Sequence, residues 1–229
     1  MEDKTGKTLR TIGIVLMGAT AAMNLLGGIG TVCAAFFTRD WPPMWALYDY
    51  RLLYQVLMIV TILIGIVNVW VTVQLILGGE NVYRNAVIIL VVGSVVAGTQ
   101  LVASELLRGK GVPTNMKFYA NLITLIYFLI LKLPSLRDRV DFSEPRDTSA
   151  PTTAGGLAAI VAGVLLLTVH LWVGSSHIFE GENWVFVLDM PLSVGGLILF
   201  FGGLGLVFRS RIERTLTSIL GTLRSPVTD

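Results

Sequence analysis

Three long stretches without a charged side chain constrain this chain more than any single residue does. They cover residues 11–38, 52–79 and 85–104. A helix rises about 1.5 Å per residue, so roughly 20 apolar residues cross the ~30 Å hydrocarbon core of a bilayer. Charged residues make up only 14% of the sequence, against about 25% in soluble domains. We therefore expect an all-α, polytopic integral membrane protein.

Three further apolar segments complete the predicted bundle, and they cover residues 118–131, 156–174 and 190–208. The first of these is short for a span, so we expect Lys117 and Lys132 to reach from its ends to the lipid headgroups. The pattern predicts six transmembrane helices arranged as four plus two. The predicted units are a four-helix transmembrane unit over 1–133, a cytoplasmic polar linker over 134–154, a transmembrane helical hairpin over 155–208 and a cytoplasmic amphipathic tail over 209–229.

The tail has the pattern of a helix that lies on a membrane surface. Ile212, Leu216, Ile219 and Leu223 recur at helical spacing among arginines. A basic amphipathic helix buries its apolar face among the headgroups of an anionic leaflet. We therefore predict a C-terminal amphipathic interfacial helix.

The basic residues indicate how the chain is oriented. Lys and Arg next to spans favour the cytoplasmic side. With the N-terminus inside, most of the 17 basic residues lie in inner segments; the outer ones are Arg39, Arg51, Arg108, Lys110 and Lys117. We expect a multi-pass protein of the cell membrane with both termini cytoplasmic. The first span exceeds the roughly 7 to 15 apolar residues of a cleaved leader, so we expect it to be retained. These charges predict no binding of nucleic acid.

Small and polar residues form stripes on the predicted spans. In lipid, helices associate through close backbone approach and through polar groups that find partners. Such stripes therefore indicate the faces that meet inside the bundle. In the four-helix unit they carry Asn24, Thr31, Thr61, Asn68, Ser94, Asn121 and Thr124, and in the hairpin they carry closely spaced glycines.

Few titratable residues fall inside the spans, and each is a functional candidate because a charge in a membrane is costly. Glu105 closes the third span, with Arg108 three residues on, so we predict a salt bridge between them. His170 lies late in the fifth span on a stripe with Gly163, which indicates a helix contact. The candidate ligand or proton site comprises Glu105, His170, Arg108, Gln100 and Asn68.

No metal or cofactor site is predicted. The last outer connection contains His177, Glu180, Glu182 and Asp189, whose spacing matches no zinc pattern. We place His177 outside the bilayer, so His170 alone cannot supply two axial ligands for a haem.

Aromatic residues gather at the predicted outer boundary. They include Trp41, Trp45, Tyr48, Trp172 and Trp184. Aromatic belts normally mark both membrane interfaces. The one-sided cluster is either an anchor alone or also an outer docking surface for a partner subunit or a lipid-like ligand.

The predicted function is that of a noncatalytic subunit or scaffold. It would pack with membrane lipids and with other membrane-protein subunits, or form a homo-oligomer. Two alternatives stay open. One is a transporter for a small solute or ion that uses a polar seam between the helices, formed by Asn24, Asn68, Gln100, Asn121 and Glu105. The other is an intramembrane enzyme acting on a lipid or quinone-like substrate near the outer leaflet, with Glu105 or His170 as acid or base.

Overall fold

The computed structural model describes residues 4–40, 42–137, 139–143, 149–174, 177–179 and 181–224, and these residues are almost entirely helical. The helices are α1 (Lys4–Gly30), α2 (Val32–Phe36), α3 (Arg51–Leu77), α4 (Val82–Arg108), α5 (Thr114–Ile130), α6 (Pro134–Arg137), α7 (Ser149–Leu167), α8 (Val169–Trp172) and α9 (Asp189–Arg224). Two 3-10 helices, Pro42–Tyr50 and Trp184–Leu188, and one antiparallel pair of two-residue strands, β1 (Ile178–Phe179) and β2 (Glu182–Asn183), connect them.

Four helices are long and apolar enough to cross a membrane. They lie at Lys4–Phe36, Met44–Leu77, Val82–Arg108 and Asp189–Arg209. This finding fits a membrane protein and confirms the all-helical prediction. The fourth and fifth predicted spans fall on α5 and α7, which have 17 and 19 residues. The arrangement of six spans as four plus two therefore stays a prediction.

The last helix differs from the prediction in one respect. α9 runs without interruption from Asp189 to Arg224, so the tail is helical up to Arg224 but does not form a separate element. An α-helix of 36 residues is about 54 Å long. The interfacial placement of the tail stays a prediction.

Successive long helices run antiparallel, which gives the bundle two ends. Near the start of α1, the Arg10 guanidinium bonds to the Leu75 carbonyl oxygen near the end of α3 at 3.0 Å. At the opposite end of α1, the Gln100 amide of α4 donates to Thr31 Oγ1 at 3.0 Å. We call these two ends the Lys4 end and the Arg108 end.

Close backbone approach holds the hairpin together. α7 packs against α9 on one side and against α1 on the other. A β-carbon at Gly163 would lie 2.7 Å from the Gly196 carbonyl oxygen, and one at Gly18 would lie 2.9 Å from Ala158 Cβ. Only glycine permits these contacts, so the small-residue stripes lie where the helices meet.

The Lys4 end is filled by the segment that follows α6. Phe142 is buried among Ile14, Leu75 and Phe128, and its ring stacks on Phe128 with the two centroids 5.8 Å apart. Arg10 lies 5.7 Å above the same ring. Part of the predicted polar linker therefore contributes an apolar side chain to the core.

Candidate functional site

Hydrogen bonds between side chains join α1 to α5 in the middle of the bundle. Asn24 and Asn121 exchange two amide hydrogen bonds, with N to O distances of 3.2 and 2.9 Å. Thr20 Oγ1 and Thr124 Oγ1 are 2.8 Å apart. These four side chains are buried, and each of them forms a hydrogen bond with another of the four. This part of the seam is consequently a packed helix contact.

Lys117 lies one turn into α5 and points into the bundle. Its side chain is 2% exposed. The ammonium group donates to Gln100 Oε1 at 2.5 Å and to Thr61 Oγ1 at 3.2 Å. The sequence-based expectation that Lys117 reaches out to the headgroups is therefore wrong. Lys117 follows the face of its own helix, because it lies four and seven residues before Asn121 and Thr124 on the polar stripe.

A short relay of hydrogen bonds holds the Lys117 ammonium in place. Gln100 accepts from Lys117 and donates to Thr31 Oγ1 at 3.0 Å. Thr31 Oγ1 in turn donates to the Gly27 carbonyl oxygen at 2.6 Å. A β-carbon at Gly27 would lie 2.8 Å from Lys117 Cδ, so the glycine makes room for the lysine stem. Residues of α1, α3, α4 and α5 thus fix the position of one buried cation.

A cavity of about 450 Å³ adjoins Lys117 at the Arg108 end. Its size is within the usual range for small-molecule sites, roughly 300 to 1,000 Å³. Most of its wall is apolar, from α1 and from the hairpin, including Met23, Leu26, Ile29, Val169, Leu188 and Leu192. The polar part of the wall comes chiefly from α4 and α5 and contains Gln100, Ser104, Arg108, Thr114 and Lys117. The cavity wall therefore has a large apolar part and a smaller polar part.

The titratable side chains that line this cavity include Lys117, Arg108 and His177, and no aspartate or glutamate is among its described lining residues. Two hydrogen-bond donors in the wall are shielded from solvent and have no partner within the described part of the chain. They are Arg108 Nε and the indole Nε1 of Trp172. The wall thus offers positive charge, and it contains two unused donors that reach a ligand after a rotation of their side chains.

His177 is a site residue that the sequence analysis placed outside the bilayer and set aside. Its Nδ1 lies 3.3 Å from the Val173 carbonyl oxygen. Burial lowers the pKa of His177 below its ordinary value; Arg108 acts in the same direction, whereas the contact with Val173 raises the pKa. His177 lines the same cavity as Arg108 of α4 and Thr114 of α5, a long-range proximity that spacing along the chain does not reveal.

The structure separates the predicted ligand-site residues. Gln100 and Arg108 line the cavity. Glu105 is exposed and forms no ion pair with Arg108, so the predicted salt bridge is wrong; the carboxylate of Glu105 instead lies over Gly111. His170 stacks on Phe186, with ring centroids 5.9 Å apart, and it is not among the lining residues.

Asn68 lies in the bundle interior and is fully buried. Neither its amide nitrogen nor its amide oxygen finds a hydrogen-bond partner among the residues described. A buried amide without partners is destabilising by about 1–3 kcal/mol per unsatisfied group. Asn68 therefore differs from Asn24 and Asn121, whose side-chain amides hydrogen-bond to each other.

The predicted outer docking surface is only partly described. Trp45 is 61% exposed, and its indole donates to the Arg39 carbonyl oxygen at 3.0 Å. The Tyr48 ring has the guanidinium groups of Arg39 and Arg51 over it, at 4.2 and 4.8 Å from the ring centroid. Trp172 belongs to the cavity wall instead. Trp41 and the side chain of Trp184 lie outside the described residues.

Metal-ligating side chains are scattered through the fold. Across the described ranges, no group of three or more His, Cys, Asp or Glu is close enough to hold a metal ion. Comparison with known proteins adds no further assignment: no family model matches the chain, and no curated protein or solved structure is significantly similar to it.

Proposed function

We propose that this chain is a noncatalytic multi-pass membrane protein that binds a lipid-like molecule in the cavity at the Arg108 end. It would act as a subunit or scaffold beside other membrane proteins, or in a homo-oligomer. The observation that carries the proposal is the cavity of about 450 Å³ with its largely apolar wall. Well-formed apolar cavities with a few convergent polar groups are the usual binding sites of small molecules.

The rim of the cavity supports entry from the bilayer. Ile29, Phe37 and Met116 line it and are exposed apolar side chains. In a membrane such side chains face acyl chains, so an apolar molecule can pass between them without crossing water. A lipid-like ligand therefore has a route into the cavity that a polar solute lacks.

The proposed arrangement in the membrane is six spans as four plus two, with both termini cytoplasmic in the cell membrane. α5 has 17 residues and α7 has 19, which gives them lengths of about 26 and 28 Å. α8 follows α7 with one residue between them and extends the fifth span. The excess of Lys and Arg in the segments at the Lys4 end supports a cytoplasmic position for that end.

The outer side of α9 supports a partner. α9 packs mainly against α7 and leaves Ile198, Phe201 and Phe208 exposed. Lipid covers such a face equally well, but a helix that contacts one neighbour is available to another subunit. Purification in a mild detergent, followed by identification of the proteins that copurify, tests this part of the proposal.

Retention of lipid in purified protein tests the proposed cavity. A β-carbon at Gly30, on the cavity wall, meets nothing within 4 Å, and the same holds for Gly202 on α9. Gly30→Trp should therefore fill the cavity mouth without a clash, and Gly202→Trp is the matched control. By native mass spectrometry, we expect bound lipid-like molecules on the original protein and on Gly202→Trp, and their loss from Gly30→Trp. Equal retention by all three proteins argues against the cavity as the site.

Transport of a small solute or ion is a second candidate function, favoured by one observation. The buried amide of Asn68 has no partner among the described residues, and an unsatisfied polar group inside a span is typical of a path for water or solute. Asn68→Leu would then abolish flux in proteoliposomes and leave the fold intact. Unchanged flux, or no flux above empty liposomes for the original protein, removes this candidate.

A further inference from the structure

The electrostatics of the cavity wall point to the chemical class of its ligand. We infer that the cavity holds an anionic amphiphile of the bilayer, whose phosphate or carboxylate head is bound by Lys117, Arg108 and Trp172 and whose chain lies along α1 and the hairpin. This inference rests on the proposed function, because it specifies what the same cavity binds.

Within the described part of the chain, the cations of the cavity wall have no counter-charge. Lys117 donates to the neutral acceptors Gln100 Oε1 and Thr61 Oγ1. The described lining includes no carboxylate, and Glu105, the acidic residue nearest in sequence to Arg108, does not pair with it. Cations in an apolar region are strongly destabilising unless an anion or water compensates them. An anionic group in the cavity would supply this compensation for both residues.

The hydrogen-bonding groups lead to the same class of head group. An ammonium has three N–H donors, and the structure gives Lys117 two acceptors within the described chain. Arg108 Nε and Trp172 Nε1 are also donors without a partner there. Two polar side chains nearby already have partners, since Gln100 binds Lys117 and Ser104 Oγ lies 3.0 Å from the Tyr54 hydroxyl. A site of unused donors fits a ligand that only accepts, and phosphate and carboxylate oxygens do so.

The apolar side of the cavity excludes a small inorganic anion as the complete ligand. Met23, Leu26 and Leu192 line this side. A free phosphate ion would leave it uncovered, whereas a hydrocarbon chain attached to the head would bury it. In a bilayer, the hydrocarbon chain of the ligand is already out of water, so the apolar wall selects the ligand by its shape. The cations select it by its anionic head.

The test uses four probes that separate head from chain, namely dodecyl phosphate, dodecanoate, dodecanol and inorganic phosphate. Binding to the purified full-length protein in a mild nonionic detergent is measured by isothermal titration calorimetry. We expect dodecyl phosphate and dodecanoate to bind at least tenfold more tightly than dodecanol. Inorganic phosphate should bind much more weakly than dodecyl phosphate.

Lys117→Met removes the ammonium and keeps a side chain that fills the same space. A hydrogen bond to a charged group contributes roughly 1.5–3 kcal/mol, which corresponds to about a tenfold to hundredfold loss of affinity. We expect this loss for both anionic probes and no change for dodecanol. Lys132→Met is the matched control, because Lys132 is exposed, lies just beyond the other end of α5 and does not line this cavity.

Trp172→Phe provides a second variant that keeps an aromatic ring and removes one donor. It should lower the affinity for dodecyl phosphate by about threefold to tenfold. This variant keeps the test decisive if Lys117→Met proves hard to purify. Equal affinities for dodecyl phosphate and dodecanol, or anion binding unaffected by Lys117→Met, overturn the anionic head while the lipid-binding function stands. Inorganic phosphate that binds as tightly as dodecyl phosphate overturns the amphiphile. If no alkyl probe binds and Gly30→Trp changes nothing, the proposed function itself fails.

Discussion

The two ends of the bundle each bury a cation, but they surround it differently. At the Lys4 end, Arg10 is 5% exposed and donates to the carbonyl oxygens of Leu75 and Asp141 at 3.0 and 3.2 Å. It also lies over the ring of Phe142. At the Arg108 end, Lys117 has two neutral side-chain acceptors and an open cavity beside it.

The difference indicates which buried charge is structural. Backbone carbonyl oxygens and an aromatic ring surround the Arg10 guanidinium, so it needs no further ligand. Arg10 therefore ties α1, α3 and the segment after α6 together. An ammonium that lines a cavity with unused donors nearby is poised for a ligand. Burial of a charge in a membrane protein is therefore informative only together with what compensates it.

The cavities at the two ends show the same contrast. The one at the Lys4 end, about 370 Å³, is lined by Glu80 and Asp141 as well as by Lys132 and Arg137. Acidic and basic side chains are thus both present in its wall. The cavity at the Arg108 end has cations without acids among its described lining residues, so the two ends are expected to respond differently to mutation.

Phe142→Ala should have the largest effect, because it removes the ring that fills the Lys4 end. Deleting a buried phenylalanine side chain lowers the free energy of unfolding by about 3–5 kcal/mol. Equilibrium unfolding in mixed micelles measures the change. Phe186→Ala is the control, since Phe186 is exposed. A similar small loss for both variants would mean that Phe142 does not close this end.

Arg10→Met should have the next largest effect. The free energy of unfolding should fall by about 2 kcal/mol, because two charged hydrogen bonds are lost. The same unfolding measurement applies, and Lys7→Met is the control because Lys7 is exposed. If Arg10→Met left the free energy of unfolding unchanged, Arg10 would not stabilise the Lys4 end.

Lys117→Met should leave the free energy of unfolding nearly unchanged. In the absence of ligand, the substitution removes the desolvation cost of a buried cation but also removes its hydrogen bonds to Gln100 and Thr61. The two effects oppose each other, so the net change should stay within about 1 kcal/mol. Thermal unfolding of delipidated protein measures the change, with Lys132→Met as the control. A loss as large as that of Arg10→Met would assign Lys117 a structural role and remove the contrast between the ends.

The smallest expected effect is a pH dependence at the Lys4 end. Hydrogen bonds from the Ser143 hydroxyl and backbone N–H, together with the nearby Arg10, hold the pKa of Asp141 below its ordinary value. The folded-state pKa is thus below the unfolded one, so the stabilisation is complete above about pH 4 and is lost as the pH falls further. Asp141→Asn should flatten this acid limb of the unfolding midpoint. An identical limb in the variant would assign it to other carboxylates.

The sequence predicted the helical class and the polar seam because both depend on local pattern. Charge-free runs give length, and the stripe of Asn24, Asn121 and Thr124 follows helical periodicity. These features need no knowledge of which segments meet. The seam residues accordingly lie inside the bundle.

The cavity depends on contacts that local pattern does not determine. Lys117 at the end of an apolar run has the typical place of a residue that reaches the interface, yet its position on the stripe with Asn121 turns it inward. Glu105 and Arg108 have salt-bridge spacing, but Arg108 turns to the cavity and Glu105 to Gly111. Phe142 enters the core from a polar segment because that segment folds back onto α1 and α5, a long-range contact.

A density map of the protein in a lipid nanodisc would show directly whether the cavity at the Arg108 end holds a lipid. We expect elongated density inside this cavity, with its head within hydrogen-bonding distance of Lys117 Nζ and its chain along α1. We expect no such density in the cavity at the Lys4 end, whose wall carries charges of both signs. A map in which the hairpin closes onto Lys117 and leaves no space for a ligand would show that the cavity is not a binding site.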